Sequence, residues 1–387
     1  MTLVVDNRQT VQGPGVHALI VGVSQYDFLP DVDDPPSPDT WNLTSLGSTA
    51  IAAAQVAGWF KHNADRLARP LKTLRVLLSP VESVERPSLP DWVTQDLLRP
   101  TQACFGDAVQ AWRQDCADNS QNVAFFYFGG HGFTRGLGVE DLVLALADFL
   151  EPGEGIPPRV AFASNIFNGM APQTKDDRVA LEQFFFFDCC RTFLGQAKDM
   201  DDKSVPSILG VSALEGVGDN RVYAFCRAVN NNASAFASTG STTYFAASLL
   251  DAMENAGRNI GSQWQVDGFA LQGRLIARYP RIAKRLFPFE NINNGPVLRR
   301  LMAPPSVGLD IFLDPAAAAA DRLVRLVGSG TLPVESTQVA VGRYKASVMP
   351  GEYKLYVRQQ QGPWAATGDE QIVMPDTSNP WISQRWR

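Results

Sequence analysis

The chain has 387 residues, 45% of them hydrophobic and 19% charged, with a net charge of −6. That is globular composition with ample chain for a sizeable core. The acidic balance, with no cluster of arginine or lysine, argues against a nucleic-acid partner, because phosphate binding needs a basic surface.

The opening MTLVVDNRQTVQGPG lacks a basic region followed by an apolar core, so no secretory leader is expected. The early apolar run Val16 to Val23 is too short to cross a membrane. A soluble, cytoplasmic protein without a membrane partner is therefore expected. Five cysteines, an odd number without framework spacing, fit free thiols better than a disulfide scaffold.

HALIVGV (17–23) reads as a buried strand, followed by a Pro/Asp-rich loop and an alanine-rich helix from Ser48 to His62. RVLLS (75–79) predicts a second strand, FGDAVQAWRQDC (105–116) a helix and NVAFFYF (122–128) a third strand. A helix is expected over Asp176 to Glu182, leading into the strand FFFF, with SILGVSA (207–213) as a fifth strand and helices near 241–256 and 266–278. Short apolar runs separated by helices predict a mostly parallel sheet flanked by helices, an α/β fold. Function in such sheets gathers in loops beyond the carboxyl ends of the strands. From about residue 306 the pattern changes to short, partly alternating runs, with MPGEY (349–353) as a turn. The expected division is a domain over 1–305 and a small antiparallel, sandwich-like β domain over 306–387.

Two loops carry chemistry. His131 leaves the third strand between glycines, GGHGF, where the backbone can turn tightly and approach a ligand. His17, opening a strand, and His62, ending a helix, read as surface or capping histidines. Cys190 sits at the matching place after the next strand, in FFFFDCCRTF. A thiol becomes a strong nucleophile when a nearby imidazole takes its proton. Backbone N–H groups of Gly132 and Cys190 are candidates for stabilising an oxyanion. Alternation turns Cys189 into the core, and Asp188, two residues before Cys190, is expected on the same side as that thiol. A metal site made of Cys189, Cys190, His131 and Asp188 is the competing reading, but adjacent cysteines are an awkward chelate. No glycine-rich phosphate loop follows the first strand, so neither a metal nor another cofactor is expected.

These residues resemble the caspase/metacaspase superfamily of cysteine peptidases, in a bacterial-type version, over about residues 15–280. HALIVGVSQY, FYFGGHGF, FFFFDCCRTF and the helix STTYFAASLLDAMENAG carry the likeness. The resemblance implies a caspase-like fold and cleavage of protein substrates, with His131 as general base and Cys190 as nucleophile. It also implies oxyanion donors at Gly132 and Cys190, and substrate contacts at Asp188 and Gly129. Asp188 argues for Arg or Lys before the cut. The chain departs from the metacaspase pattern in Gly129 for Ser, in Ser48 and Ile51 for Cys and Asp, and in Arg191-Thr192-Phe193 after the cysteine. No motif supports calcium dependence. The resemblance further suggests a zymogen cut at Lys198, Lys203, Arg221 or Arg227, and a role in bacterial antiviral defence or cell death. The β domain is expected to dock a regulatory protein, with Trp364, Trp381 and Trp386 as contact candidates. The alternative functions are an inactive caspase-like scaffold that binds partners, or another thiol hydrolase on the same fold.

Overall fold

The structure, a computed structural model, describes residues 2–134, 142–153, 158–174, 177–190, 192–197, 207–209, 218–228, 238–278, 289–290, 295–314, 322–328, 333–349, 351–359, 362–373 and 381–385. These divide into two compact units, Met1–Leu250 with Arg285–Arg299, and Asp251–Lys284 with Arg300–Arg387.

Strands β1 (Leu3–Asp6) and β2 (Val16–Val23) precede helix α1 (Thr49–His62); β3 (Leu71–Ser79) leads to α2 (Gln102–Ala117) and β4 (Val123–Gly129). Short strands β5 (Gly132–Thr134), β6 (Leu142–Ala145) and β7 (Val160–Phe162) follow, then α3 (Ala163–Gly169) and β8 (Glu182–Asp188). Next come β9 (Thr192–Phe193), β10 (Val222–Arg227), α4 (Tyr244–Asn255), β11 (Arg258–Ile260), β12 (Gln263–Asp267), α5 (Gly268–Arg278) and β13 (Phe289–Glu290).

Among the described residues the central sheet has seven strands in the order β1-β3-β2-β4-β8-β10-β13. The inner strands run parallel, and β1 and β13 join the two margins antiparallel. Every residue of β2, β3 and β4 is buried, which is why apolar residues dominate their sequences, with His17, Lys72, Thr73 and Arg75 buried as polar exceptions. The four phenylalanines of β8 split by alternation. Phe185 packs with Trp112 of α2, Phe126 and Phe167 on one face. Phe186 meets Phe125 and Phe245 on the other. Alanines let α1 lie close to the sheet, where a Cβ on Gly22 would fall 2.6 Å from that of Ala53. Across the sheet, Phe105, Val109, Trp112 and Cys116 of α2 are buried at helical spacing.

Two predicted elements are corrected. Residues 177–181 are not helical, because their main chain is used elsewhere: Leu181 N donates to Ser120 O at 2.9 Å and Arg178 O accepts from Arg113 at 3.1 Å. The preceding helix is instead α3. Residues 207–209 form no strand, and 210–213 lie outside the described residues. The strand beside β8 is β10, while Leu209 spends its apolar side chain against Gly169. Arg221 and Arg227, candidate cut sites, are 3% and 5% exposed, and Arg221 donates to Phe167 O and Gln183, so neither is presented for cleavage. Lys198 and Lys203 lie outside the described residues.

The last part of the chain holds β14 (Val297–Leu301), β15 (Val307–Asp314), β16 (Arg322–Gly328), β17 (Val334–Glu335), β18 (Thr337–Ala340), β19 (Arg343–Val348), β20 (Gly351–Gln359), β21 (Ala365–Val373) and β22 (Trp381–Arg385). Among the described residues β14 joins β11 and β12 in a three-stranded sheet. Strands β15 to β22 form two four-stranded sheets, β18-β19-β15-β22 and β17-β16-β20-β21. Ile311 and Tyr344 from the first sheet and Leu326 and Leu355 from the second share one buried core, a sandwich. In these two sheets the pairing is antiparallel except between β15 and β22. Trp364 is half-buried, with the Arg325 and Arg358 guanidinium groups 4.2 and 4.5 Å from its ring centroid; Trp386 lies outside the described residues. No described helix is long and apolar enough to cross a membrane.

Candidate active site

His131 stands two residues beyond the end of β4, and Cys190 stands two residues beyond the end of β8, the neighbouring strand. A second sheet ties their loops together. Its strand β5 pairs antiparallel with β6 and parallel with β9, matching Phe133 to Thr192 and Thr134 to Phe193. The loops touch through Gly132, where a Cβ would sit 2.6 Å from Cys189 Sγ and 2.7 Å from the Cys190 carbonyl oxygen. Only glycine fits such a main-chain approach.

The imidazole is held from three directions. Its main-chain N–H donates to the Tyr26 hydroxyl at 2.7 Å, and its carbonyl accepts from Ala145 N at 3.1 Å. The Tyr26 ring lies 5.0 Å from the imidazole, centroid to centroid. Nε2 stands 2.7 Å from Thr44 O. A carbonyl oxygen only accepts, so Nε2 carries the hydrogen and the neutral ring keeps its lone pair on Nδ1. Burial lowers the His131 pKa, partly offset by the Thr44 carbonyl, which keeps the ring a neutral base at neutral pH.

His131 and Cys190 line one cavity of about 330 Å³ together with Trp41, Asn42, Leu43, Gly132, Phe133, Phe193, Leu194, Gly195 and Gln196. Cys189 is buried in the core, as alternation predicts, and Cys190 is half-exposed. A thiol and an imidazole lone pair in one largely apolar cavity can pass a proton between them and expose a thiolate to a bound carbonyl.

Asp188 is placed differently. It is 2% exposed, and its Oδ2 accepts from Tyr127 Oη at 2.7 Å and from the Thr243 hydroxyl. Oδ1 is buried and meets no partner among the described residues. Burial pushes its pKa up to about 6 against those two hydrogen bonds. It shares the face of β8 that carries Phe184 and Phe186, and is absent from the lining of the thiol cavity. The strand ends at Asp188, so the alternation that would put it beside Cys190 stops there. Gly129, its partner across β4 and β8, is buried against Tyr127 and Thr49 and is also absent from that lining. Among the described residues no three His, Cys, Asp or Glu side chains gather as a metal site.

Sequence reasoning missed Tyr26, Thr44, Tyr127 and Thr243. Thr44 acts through its carbonyl, which leaves no side-chain signature. Thr243 was findable as a hydroxyl residue opening a helix, since its Oγ1 also accepts from Ala246 N at 3.0 Å.

No curated protein matches the chain. Solved structures similar to parts of it include the following two crystal structures. Protein GSU0716 from Geobacter sulfurreducens is 12% identical, with 72% of this chain and 93% of that chain covered at a TM-score of 0.40. Caspase-1 from Spodoptera frugiperda is 11% identical, with 72% and 87% covered at a TM-score of 0.42. The sequence model of the caspase domain matches residues 16–263, well over half of the chain, and its span takes in both loops. The chain belongs to the caspase-domain family of cysteine peptidases.

Proposed function

We propose that the protein is a cysteine endopeptidase that cleaves protein substrates after Arg or Lys. The Cys190 thiol gives its proton to His131 Nδ1, and the thiolate sulfur adds to the scissile carbonyl. The resulting oxyanion accepts hydrogen bonds from the N–H groups of Gly132 and Cys190. Collapse breaks the C–N bond, His131 returns the proton to the departing amine, and water then hydrolyses the thioester. The observation that carries this reading is the shared cavity of His131 and Cys190, with Nε2 committed to Thr44 O and Nδ1 free to act. Asp188, a buried carboxylate with one unpartnered oxygen, is the group suited to a guanidinium or ammonium. Residues 306–387 act as an accessory domain for a regulatory protein, and processing at Lys198 or Lys203 activates a zymogen in bacterial defence. A peptide library varied before the cut, offered to wild type and Cys190→Ala, tests the core of this. Cleavage after Arg or Lys that the mutant lacks is the expected result. Cleavage after other residues refutes the role of Asp188. No cleavage in any processed or calcium-supplemented form points to the partner-binding scaffold.

A further inference from the structure

Beside the thiol the cavity is walled by Trp41, Leu43, Phe133, Phe193 and Leu194, and among the described residues no Asp, Glu, Lys or Arg lines it. That is unexpected if the cavity served only a basic side chain. Which part of a substrate it faces follows from the proton. His131 must return its proton to the departing amine, and that amine belongs to the residue after the cut. The imidazole lines this cavity, whereas Asp188 does not. An extended peptide also sends successive side chains to opposite sides, so residues flanking the scissile bond part company at Cys190.

The wall is built with local strain. Trp41 and Asn42 both have φ of +57°, a left-handed conformation that costs a non-glycine residue about 1 kcal/mol or more. Hydrogen bonds from Trp41 N to Pro38 O (3.1 Å) and from Asn42 N to Ser37 O (2.8 Å) hold this turn. The Trp41 ring stands edge-on to Phe133 and Phe149 at 5.9 and 5.3 Å. The same short segment then delivers the Thr44 carbonyl to His131. Strained backbone of this kind clusters at active sites and ligand clamps. At about 330 Å³ the cavity is at the small end of ligand pockets, which run from about 300 to 1,000 Å³. It has room for one large side chain.

We infer that this cavity is an apolar specificity subsite for the side chain that follows the scissile bond, with Trp41 as its principal wall. The inference rests on the peptidase reading above. The enzyme therefore selects an apolar residue, such as Leu, Met or Phe, directly after the cut.

The test is a competition among peptides that share one residue before the cut and carry Leu, Phe, Met, Gly, Asp or Lys after it. Wild type should favour Leu over Gly and Asp by at least about tenfold in kcat/KM, the discrimination an apolar pocket supplies. In Trp41→Ala the Leu-to-Gly ratio should fall below about 3, with Trp41→Phe in between. Leu194→Ser, half-exposed in the same wall, should lower the ratio too and serves if Trp41→Ala fails to fold. Equal cleavage before Leu, Gly and Asp by wild type, abolished in Cys190→Ala, would overturn the subsite and leave the peptidase standing. If no peptide is cleaved although iodoacetamide still alkylates Cys190, the peptidase reading falls and the subsite with it.

Discussion

Replacing Asp188 by Asn should strengthen the fold and weaken the site. The carboxyl is 2% exposed, and burial raises its pKa from the ordinary 3.8 to about 6. Between those values the folded chain binds the proton more tightly than the unfolded chain, so stability falls as pH rises through the window. The cost is absent below 3.8 and fully present above about 6. A rise of about two pH units corresponds to about 3 kcal/mol at neutral pH. The amide keeps an oxygen that accepts from Tyr127 and Thr243. Its amino group, placed where Oδ1 has no partner, gives back about 1 kcal/mol, for a net gain of about 2 kcal/mol. In a unit of this size that raises Tm by roughly 4–8 °C. Urea unfolding followed by circular dichroism between pH 4 and 8 should show the stability gain of Asp188→Asn over wild type growing as pH rises through about 6, with the other shifted groups common to both proteins. Cleavage after Arg or Lys should meanwhile fall at least about 30-fold, the loss expected when a desolvated charge pair is broken. A variant no more stable than wild type at pH 7.5, with the same pH slope, would refute the idea of a carboxylate held ionised against its burial. A more stable variant with full activity would remove Asp188 from substrate recognition.

Gly132→Ala should push the histidine and cysteine loops apart, since its Cβ would meet a main-chain oxygen at 2.7 Å. An overpacking loss of about 1–3 kcal/mol in urea and a fall in kcat/KM beyond about a hundredfold are expected. The lowered pKa of His131 places the acid limb of kcat/KM below pH 6.5, and a pH–rate profile with a limb above that value would contradict it. Phe186→Ala removes a fully buried ring packed on Phe125 at 5.3 Å and should cost about 3–5 kcal/mol, read as a lowered urea midpoint.

Four of the five parallel strands, β2, β3, β4 and β8, were legible in whole or in part, because strands buried on both faces carry apolar runs, whereas β10 was missed. The same rule misled at SILGVSA, where Leu209 is apolar in order to pack a loop against Gly169. A short apolar run does not say whether its main chain pairs in a sheet. His131 and Cys190 stood out because glycines and a strand end surround scarce residue types. Tyr26 and Thr44 did not, because they reach the histidine from a segment about ninety to a hundred residues earlier and one of them contributes only main chain. The position of Asp188 turned on where β8 stops, and sequence patterns fix element ends poorly.

The two antiparallel margins of the central sheet bear on how copies of this chain can meet. Unpaired edge strands invite another chain to add on through main-chain hydrogen bonds, and short edges blunt that invitation. Among the described residues β1 offers four residues at one margin and β13 two at the other, where it pairs with Phe225 and Cys226 of β10. At those rungs the phenylalanine-rich parallel ladder already has its neighbour from within its own chain. Among the described residues, a second copy seeking to continue the sheet at that margin would meet a two-residue strand, which offers few main-chain groups to pair with.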